Sequence, residues 1–192
     1  MLKKIYDAIF ITYENIIDLH ECADLLYNQG KINRSYTLYH FSFEEGGRLF
    51  LLLKVLFKYL KGDIESKELN YGYLKKLGFE KHLSKLDESV LKMFVMPIFN
   101  SAKNDDMEQM EYLVNFYNEI ISNINKLDNF KNKSIYVCFD NNNFVDTYKS
   151  ITLEDVLYIK DLSEIQKINI NNHIEMIKNH GSFEDLKKYF NK

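Results

Sequence analysis

The sequence predicts an all-α protein, a helical bundle of four to five long helices with a small β-hairpin or loop insertion near residues 134–148. Three observations carry this reading. Long segments repeat apolar residues every three or four positions. A single proline, Pro97, interrupts 192 residues. One short stretch, Ile135-Tyr136-Val137-Cys138-Phe139, is β-branched and aromatic and runs into the turn signal Asp140-Asn141-Asn142-Asn143.

The first helix is expected over 2–28. Ile5, Ala8, Ile9, Ile16, Leu19, Ala23 and Leu26 share one face, together with Thr12, and Asn28-Gln29-Gly30 supplies the stop. Asn33 or Ser35 can cap a second helix that runs to about residue 61 and ends at Gly62. At about 1.5 Å per residue it is roughly 40 Å long. Gly46-Gly47 in its middle weakens helicity and opens a place for another backbone to approach. A polar connection (63–68) and a short helix (69–77) follow. A third main helix is expected from 79 to about 103, kinked or ended by Pro97. Residues 104–106 cap a fourth, roughly 106–127. Thr152-Leu153-Glu154-Asp155 resembles a capping box and opens a fifth helix to about 179. Ser182 can cap a last short helix, 183–190. Residues 1–192 read as one domain.

Hydrophobic content of 46% suffices for a core. A net charge of −3 leaves no general nucleic-acid footprint, so DNA is not an expected partner and RNA would need a local patch. Lys outnumbers Arg by 23 to two, which singles out Arg34 and Arg48 as the only bidentate phosphate clamps. Cys22 and Cys138 are too few and too far apart for a disulfide framework, so a reducing, cytoplasmic setting is expected. The N-terminus reads as an amphipathic helix because Asp7, Glu14 and Asp18 break its apolar run. The longest apolar run, 49–57, contains Lys54 and is too short for a bilayer, so no membrane is expected. Glu-x-x-His, His-Glu-x-x-His, Cys-x-x-Cys, GxxxxGK[ST] and Gly-x-Ser-x-Gly are absent. No metal or cofactor is therefore expected.

The chemically telling residues interrupt the apolar second helix. Glu44 and Arg48 lie four apart, an ion-pair spacing, and His40 lies four before Glu44 on the same face. Glu45 lies about 100° round the helix. Charges here are costly unless paired. The stripe is either a structural network that fixes helix register or the wall of a site whose carboxylates orient a histidine. His82, with Lys81 and Lys85 beside it at a helix start, is either a phosphate-contacting cluster or a solvated first turn. Arg34 and His40 have the Arg-x4–6-His spacing of HEPN ribonucleases, although in that family the motif sits later in the domain. His173 and His180 read as surface residues.

Ser35 to Leu52, SYTLYHFSFEEGGRLFLL, resembles the Glu-Glu-x-Gly-Lys helix of the AbiV abortive-infection family, which is related to HEPN domains. Phe79-x-x-His82-x-x-Lys85 is similar to the aromatic, His and Lys segment that follows it there. Residues 133–140 with Ile151-Thr152-Leu153-Glu154-Asp155 resemble the family's late "LYVD … IT-x-E" segment. Arg48 stands where the family usually has Lys, and no Arg-x4–6-His occurs at the usual late position. The resemblance implies a HEPN-like bundle and a cytoplasmic bacterial antiphage protein that blocks phage multiplication by stopping translation or cutting RNA. It also implies a homodimer. A metal-independent ribonuclease would use His82 as general acid/base, with Glu44 and Glu45 orienting and Arg48, Lys85 and Lys81 at substrate phosphate. The alternative is a non-catalytic binder of a phage-encoded partner or of the translation machinery.

Overall fold

Helix α1 spans Leu2–Asn28, matching its periodicity at both ends. Its buried face runs through Ile5, Ile9, Thr12, Ile16, His20 and Ala23, and the Thr12 hydroxyl donates to the Ala8 carbonyl (2.7 Å). A computed structural model describes residues 1–140 and 142–190 of the chain, and for Cys138, Asp140, Val145 and Tyr148 the backbone alone. Asn141, in the expected turn, and the Cys138 thiol thus lie outside the described residues.

Helix α2 (Ile32–Leu60) is the axis of the fold. Eighteen of its 29 residues are buried, which places it inside the bundle and not on its surface. It packs against α1, α4 (His82–Lys103), α6 (Ile124–Ile135) and α7 (Leu153–Asn179). The expected caps are not used. Lys31 precedes the first turn, while Asn33 and Ser35 lie inside the helix, where the Ser35 hydroxyl bonds back to the Ile32 carbonyl. Gly62 adopts φ +80°, as a helix stop requires.

Beyond α3 (Tyr71–Lys76), two expectations are corrected. Helix α4 starts at His82 and continues through Pro97 to Lys103. Pro97 lies on the solvent side, where water can satisfy the carbonyl its missing N–H leaves free. The single fourth helix expected over 106–127 is two: α5 (Met107–Ser122) and α6 (Ile124–Ile135). The break falls at Asn123, where the Ser122 hydroxyl and the Asn123 amide both donate to the Glu119 carbonyl and compete with the ladder. Asp106 caps α5 by accepting from the Gln109 N–H (3.0 Å). The insertion is an antiparallel hairpin, β1 (Cys138–Asp140) with β2 (Asn143–Val145), Phe139 opposite Phe144. A 3-10 turn, Thr147–Lys149, follows. Thr152 and Asp155 form the expected capping box of α7, and Ser182 and Asp185 cap α8 (Phe183–Phe190) in the same way.

Two apolar cores divide along α2. One gathers Leu49–Leu60 with the start of α1, the end of α7 and α8; the other gathers Tyr36, Tyr39 and Phe43 with α4, α5, α6 and the start of α7. Between them lies a waist of small residues. The Ser42 hydroxyl donates to the Ile16 carbonyl of α1 (3.0 Å). Ser89 of α4 and Gln166 of α7 both donate to the Phe43 carbonyl, at 2.8 and 2.9 Å. A Cβ on Gly46 would fall 2.1 Å from the Gln166 side chain, and one on Gly47 would fall 1.8 Å from the Lys85 carbonyl oxygen. Four helices meet here because α2 presents almost no side-chain bulk.

Candidate functional site

The crossing at Gly47 carries the first turn of α4 onto Glu44. His82 Nδ1 lies 2.7 Å from Glu44 Oε1, and the Lys85 ammonium pairs with the same oxygen. An ionised carboxylate only accepts, so Nδ1 carries the hydrogen of the His82–Glu44 bond. His82 is 58% exposed, whereas Glu44 is 5% and Lys85 2% exposed. The arrangement is a surface imidazole held from behind by an enclosed ion pair. Burial alone would raise the Glu44 carboxyl, but the hydrogen bonds from Lys85 and His82 outweigh it and hold the group below its ordinary value. One turn further along α4, Lys54 of α2 reaches Glu88 (3.1 Å), a second α2–α4 ion pair beyond the glycine crossing.

The ion pair expected between Glu44 and Arg48 does not form. Glu44 is taken by α4, and Arg48 Nη1 pairs with Glu45 Oε1 (3.2 Å). The Arg48 guanidinium also lies over the Phe79 ring, 5.2 Å from its centroid. Arg48 sits one turn beyond Glu44 on α2, and Phe79 lies three residues before His82, so this contact ties α2 to the segment that leads into α4. Lys81 is the exposed residue just before α4, and that helix's first N–H groups carry its positive dipole end. Lys85 is enclosed and bonded to Glu44, which places it behind the imidazole and away from solvent.

His40 shares the Glu44 face as expected, but it is fully buried, and neither ring nitrogen has a hydrogen-bond partner among the described residues. Burial, and then the nearby Lys131 charge, lower its pKa to about 4, so it is neutral. Lys131 is itself enclosed and pairs with Asp128 (2.5 Å). Arg34 does not join His40. Its Nη1 donates to the Ser134 carbonyl at the far end of α6 (3.1 Å), so the Arg-x5-His spacing builds no site. His173 bonds the Asn169 carbonyl and packs edge-on to Phe50, and His180 caps the end of α7. Among the described residues, no group of three or more His, Cys, Asp or Glu side chains is placed to hold a metal ion. No helix there is long and apolar enough to cross a membrane.

A second polar network escaped the sequence reading. Asp24 accepts from the Tyr39 hydroxyl (2.5 Å) and Lys160 (2.8 Å), and buried His20 lies 3.0 Å from Ser163 Oγ and 3.7 Å from Asp24. Burial opposes ionisation of Asp24, but the Lys160 and Tyr39 bonds prevail and lower its pKa. The signal was the His20–Asp24 spacing of four on α1, which points inward only once α7 is in place.

No curated protein and no solved structure matches the chain. The family model for the AbiV HEPN domain matches residues 2–166, which contain α1 to α6, the hairpin and the first half of α7. With His82, Glu44 and Lys85 all inside that match, the chain belongs to the AbiV family of HEPN-like helical proteins.

Proposed function

We propose that this chain is a cytoplasmic antiphage abortive-infection protein of bacteria that blocks phage multiplication by metal-independent RNA cleavage, with translation shut down as the consequence. Membership of the AbiV family supports the defence role. The observation that carries the chemistry is the His82–Glu44 bond of 2.7 Å with the imidazole open to solvent. With Nδ1–H engaged, Nε2 is the ring atom left to accept a proton. It takes the proton of a ribose 2′-hydroxyl as the 2′-oxygen bonds to the adjacent phosphorus. The phosphorus–5′-oxygen bond breaks, leaving a 2′,3′-cyclic phosphate; the leaving oxygen takes a proton from water, and His82 returns its own to solvent. Arg48 and Lys81, with the α4 N-terminus, face the phosphate, while Glu44 orients His82 and Glu45 holds Arg48.

Purified protein should cleave RNA in the presence of chelator, and His82→Ala should abolish that cleavage and phage protection together. Equal cleavage by both proteins removes His82 from the mechanism. A second reading, non-catalytic capture of a phage-encoded or translation-machinery protein, is favoured by the hairpin. Phe139 and Phe144 of its strands, and Tyr136 and Val137 just before it, are all more than 60% exposed. Under that reading His82→Ala keeps phage protection, and Phe144→Ser loses it. Homodimerisation belongs to either reading and is measured by sedimentation.

A further inference from the structure

Lys85 is one of the largest fully enclosed side chains of the protein, yet it is a cation. Taking an ammonium out of water is strongly unfavourable unless a counter-charge compensates. The Lys54–Glu88 pair already joins α2 to α4 beyond Gly47, and the Ser89 hydroxyl already ties α4 to the Phe43 carbonyl. A methionine of similar length would pack the crossing without any charge to bury. The location of the Lys85 charge is therefore informative. It lies on the one carboxylate oxygen that also receives His82.

We propose that Lys85 is a positioning residue: its enclosed ammonium keeps Glu44 ionised, and Glu44 in turn holds His82 as the Nδ1–H tautomer with Nε2 turned to solvent. Buried without a cation, a carboxyl takes up a proton and becomes a donor as well as an acceptor. It then no longer selects which imidazole nitrogen carries the hydrogen. Of the other ionisable groups around this point, His82 is the imidazole whose tautomer is at stake, and the rest are neutral or engaged elsewhere. His40, on α2, is neutral, and among the described residues both its nitrogens are unpartnered. Lys131, on α6, is bound to Asp128. Arg48, one turn along α2, is bound to Glu45. Among the described residues Glu44 Oε2 is enclosed and unpartnered, so none of them donates on that side to stabilise the charge.

The catalytic consequence rests on the function proposed above, but the coupling itself does not, and it can be read without substrate. Carbon-13 NMR of labelled glutamate, with Glu44 assigned through Glu44→Gln, follows the carboxyl titration. Nitrogen-15 NMR of the histidines reads the tautomer of His82. In the wild type the Glu44 carboxyl titrates below the ordinary range and His82 is the Nδ1–H form. In Lys85→Met the Glu44 titration moves up by about 1–3 pH units, and His82 reverts to a mixture of tautomers. Lys85→Arg retains both signatures. A folded Lys85→Met protein with an unmoved Glu44 titration and an unmoved His82 tautomer overturns the proposal, because a purely structural clamp would lower stability alone. Where Lys85→Met does not fold, the wild type decides: an Nε2–H His82, or a Glu44 that titrates above the ordinary range, overturns it. Wild-type protein that shows the coupling but cuts no RNA refutes the catalytic reading and leaves this one standing.

Discussion

Replacing Gly47 by Ala should destabilise the protein strongly, against the sign that helix propensity gives. In an isolated helix the change gains about 1 kcal/mol. Here the added methyl would sit 1.8 Å from the Lys85 carbonyl oxygen, where ordinary contact begins at 3.4 Å. Backbone cannot rotate away as a side chain can, so α4 must retreat by about 1.6 Å. Overpacking of this kind costs about 1–3 kcal/mol. The retreat also stretches the 2.8 Å bond from Ser89 to the Phe43 carbonyl, worth about 1 kcal/mol. It loosens the enclosed Lys85–Glu44 pair as well, whose rupture costs about 3–5 kcal/mol when complete. Allowing for the propensity gain and for partial rupture, the net loss is about 3 kcal/mol or more. Urea unfolding followed by circular dichroism measures it as a fall in midpoint at unchanged slope. The neighbouring Gly46→Ala is the internal comparison. The atoms nearest its methyl belong to the end of the Gln166 side chain and not to backbone, so the loss is the Gln166–Phe43 bond and some repacking, about 1–2 kcal/mol. A Gly47→Ala protein as stable as the wild type, or less perturbed than Gly46→Ala, refutes the idea that backbone approach at Gly47 sets the α2–α4 crossing.

His40 makes the fold acid-sensitive. Its pKa is about 4 in the folded protein against 6.5 for an ordinary histidine, so the unfolded chain binds the extra proton between those values. Stability is intact above pH 6.5 and falls by about 1.4 kcal/mol per unit below it, reaching about 3 kcal/mol lost by pH 4. Glu44 adds its own loss only at lower pH, because its carboxyl is held below the ordinary range. His40→Leu should flatten the pH dependence of the urea midpoint between pH 7 and 5, and slopes identical to wild type in that window would rule this account out. Asp24→Ala should lower stability by about 1–2 kcal/mol after allowance for screening of its part-exposed carboxylate, since it strands the Tyr39 hydroxyl and Lys160. An unchanged thermal midpoint would show that the Asp24 network contributes nothing.

Local chemistry was enough to read the elements. Periodicity and stop residues located α1, the end of α2 and the whole of α7, because amphipathic spacing and caps act within a few residues. The aromatic, β-branched run likewise marked the hairpin insertion, although Ile135 still belongs to α6 and the strand begins only at Cys138. Side chains competing with the backbone at Ser122 and Asn123 were equally local, but their effect depends on which carbonyl they reach, and so the α5–α6 break was missed. The family pattern brought His82, Glu44 and Lys85 together as candidates without saying how they touch.

Pairing was decided in three dimensions. Spacing on one helix allowed Glu44 to meet Arg48, yet a second helix crossing at Gly47 supplied closer partners and left Arg48 to Glu45. The same packing enclosed His40 and Lys85 while leaving His82 at the surface. By itself the sequence determined both ends of α1 and α7, the stop of α2 and which residues carry charge. Only the tertiary structure decided which charges are buried and whom they face, because burial and ion pairing depend on contacts between residues dozens of positions apart.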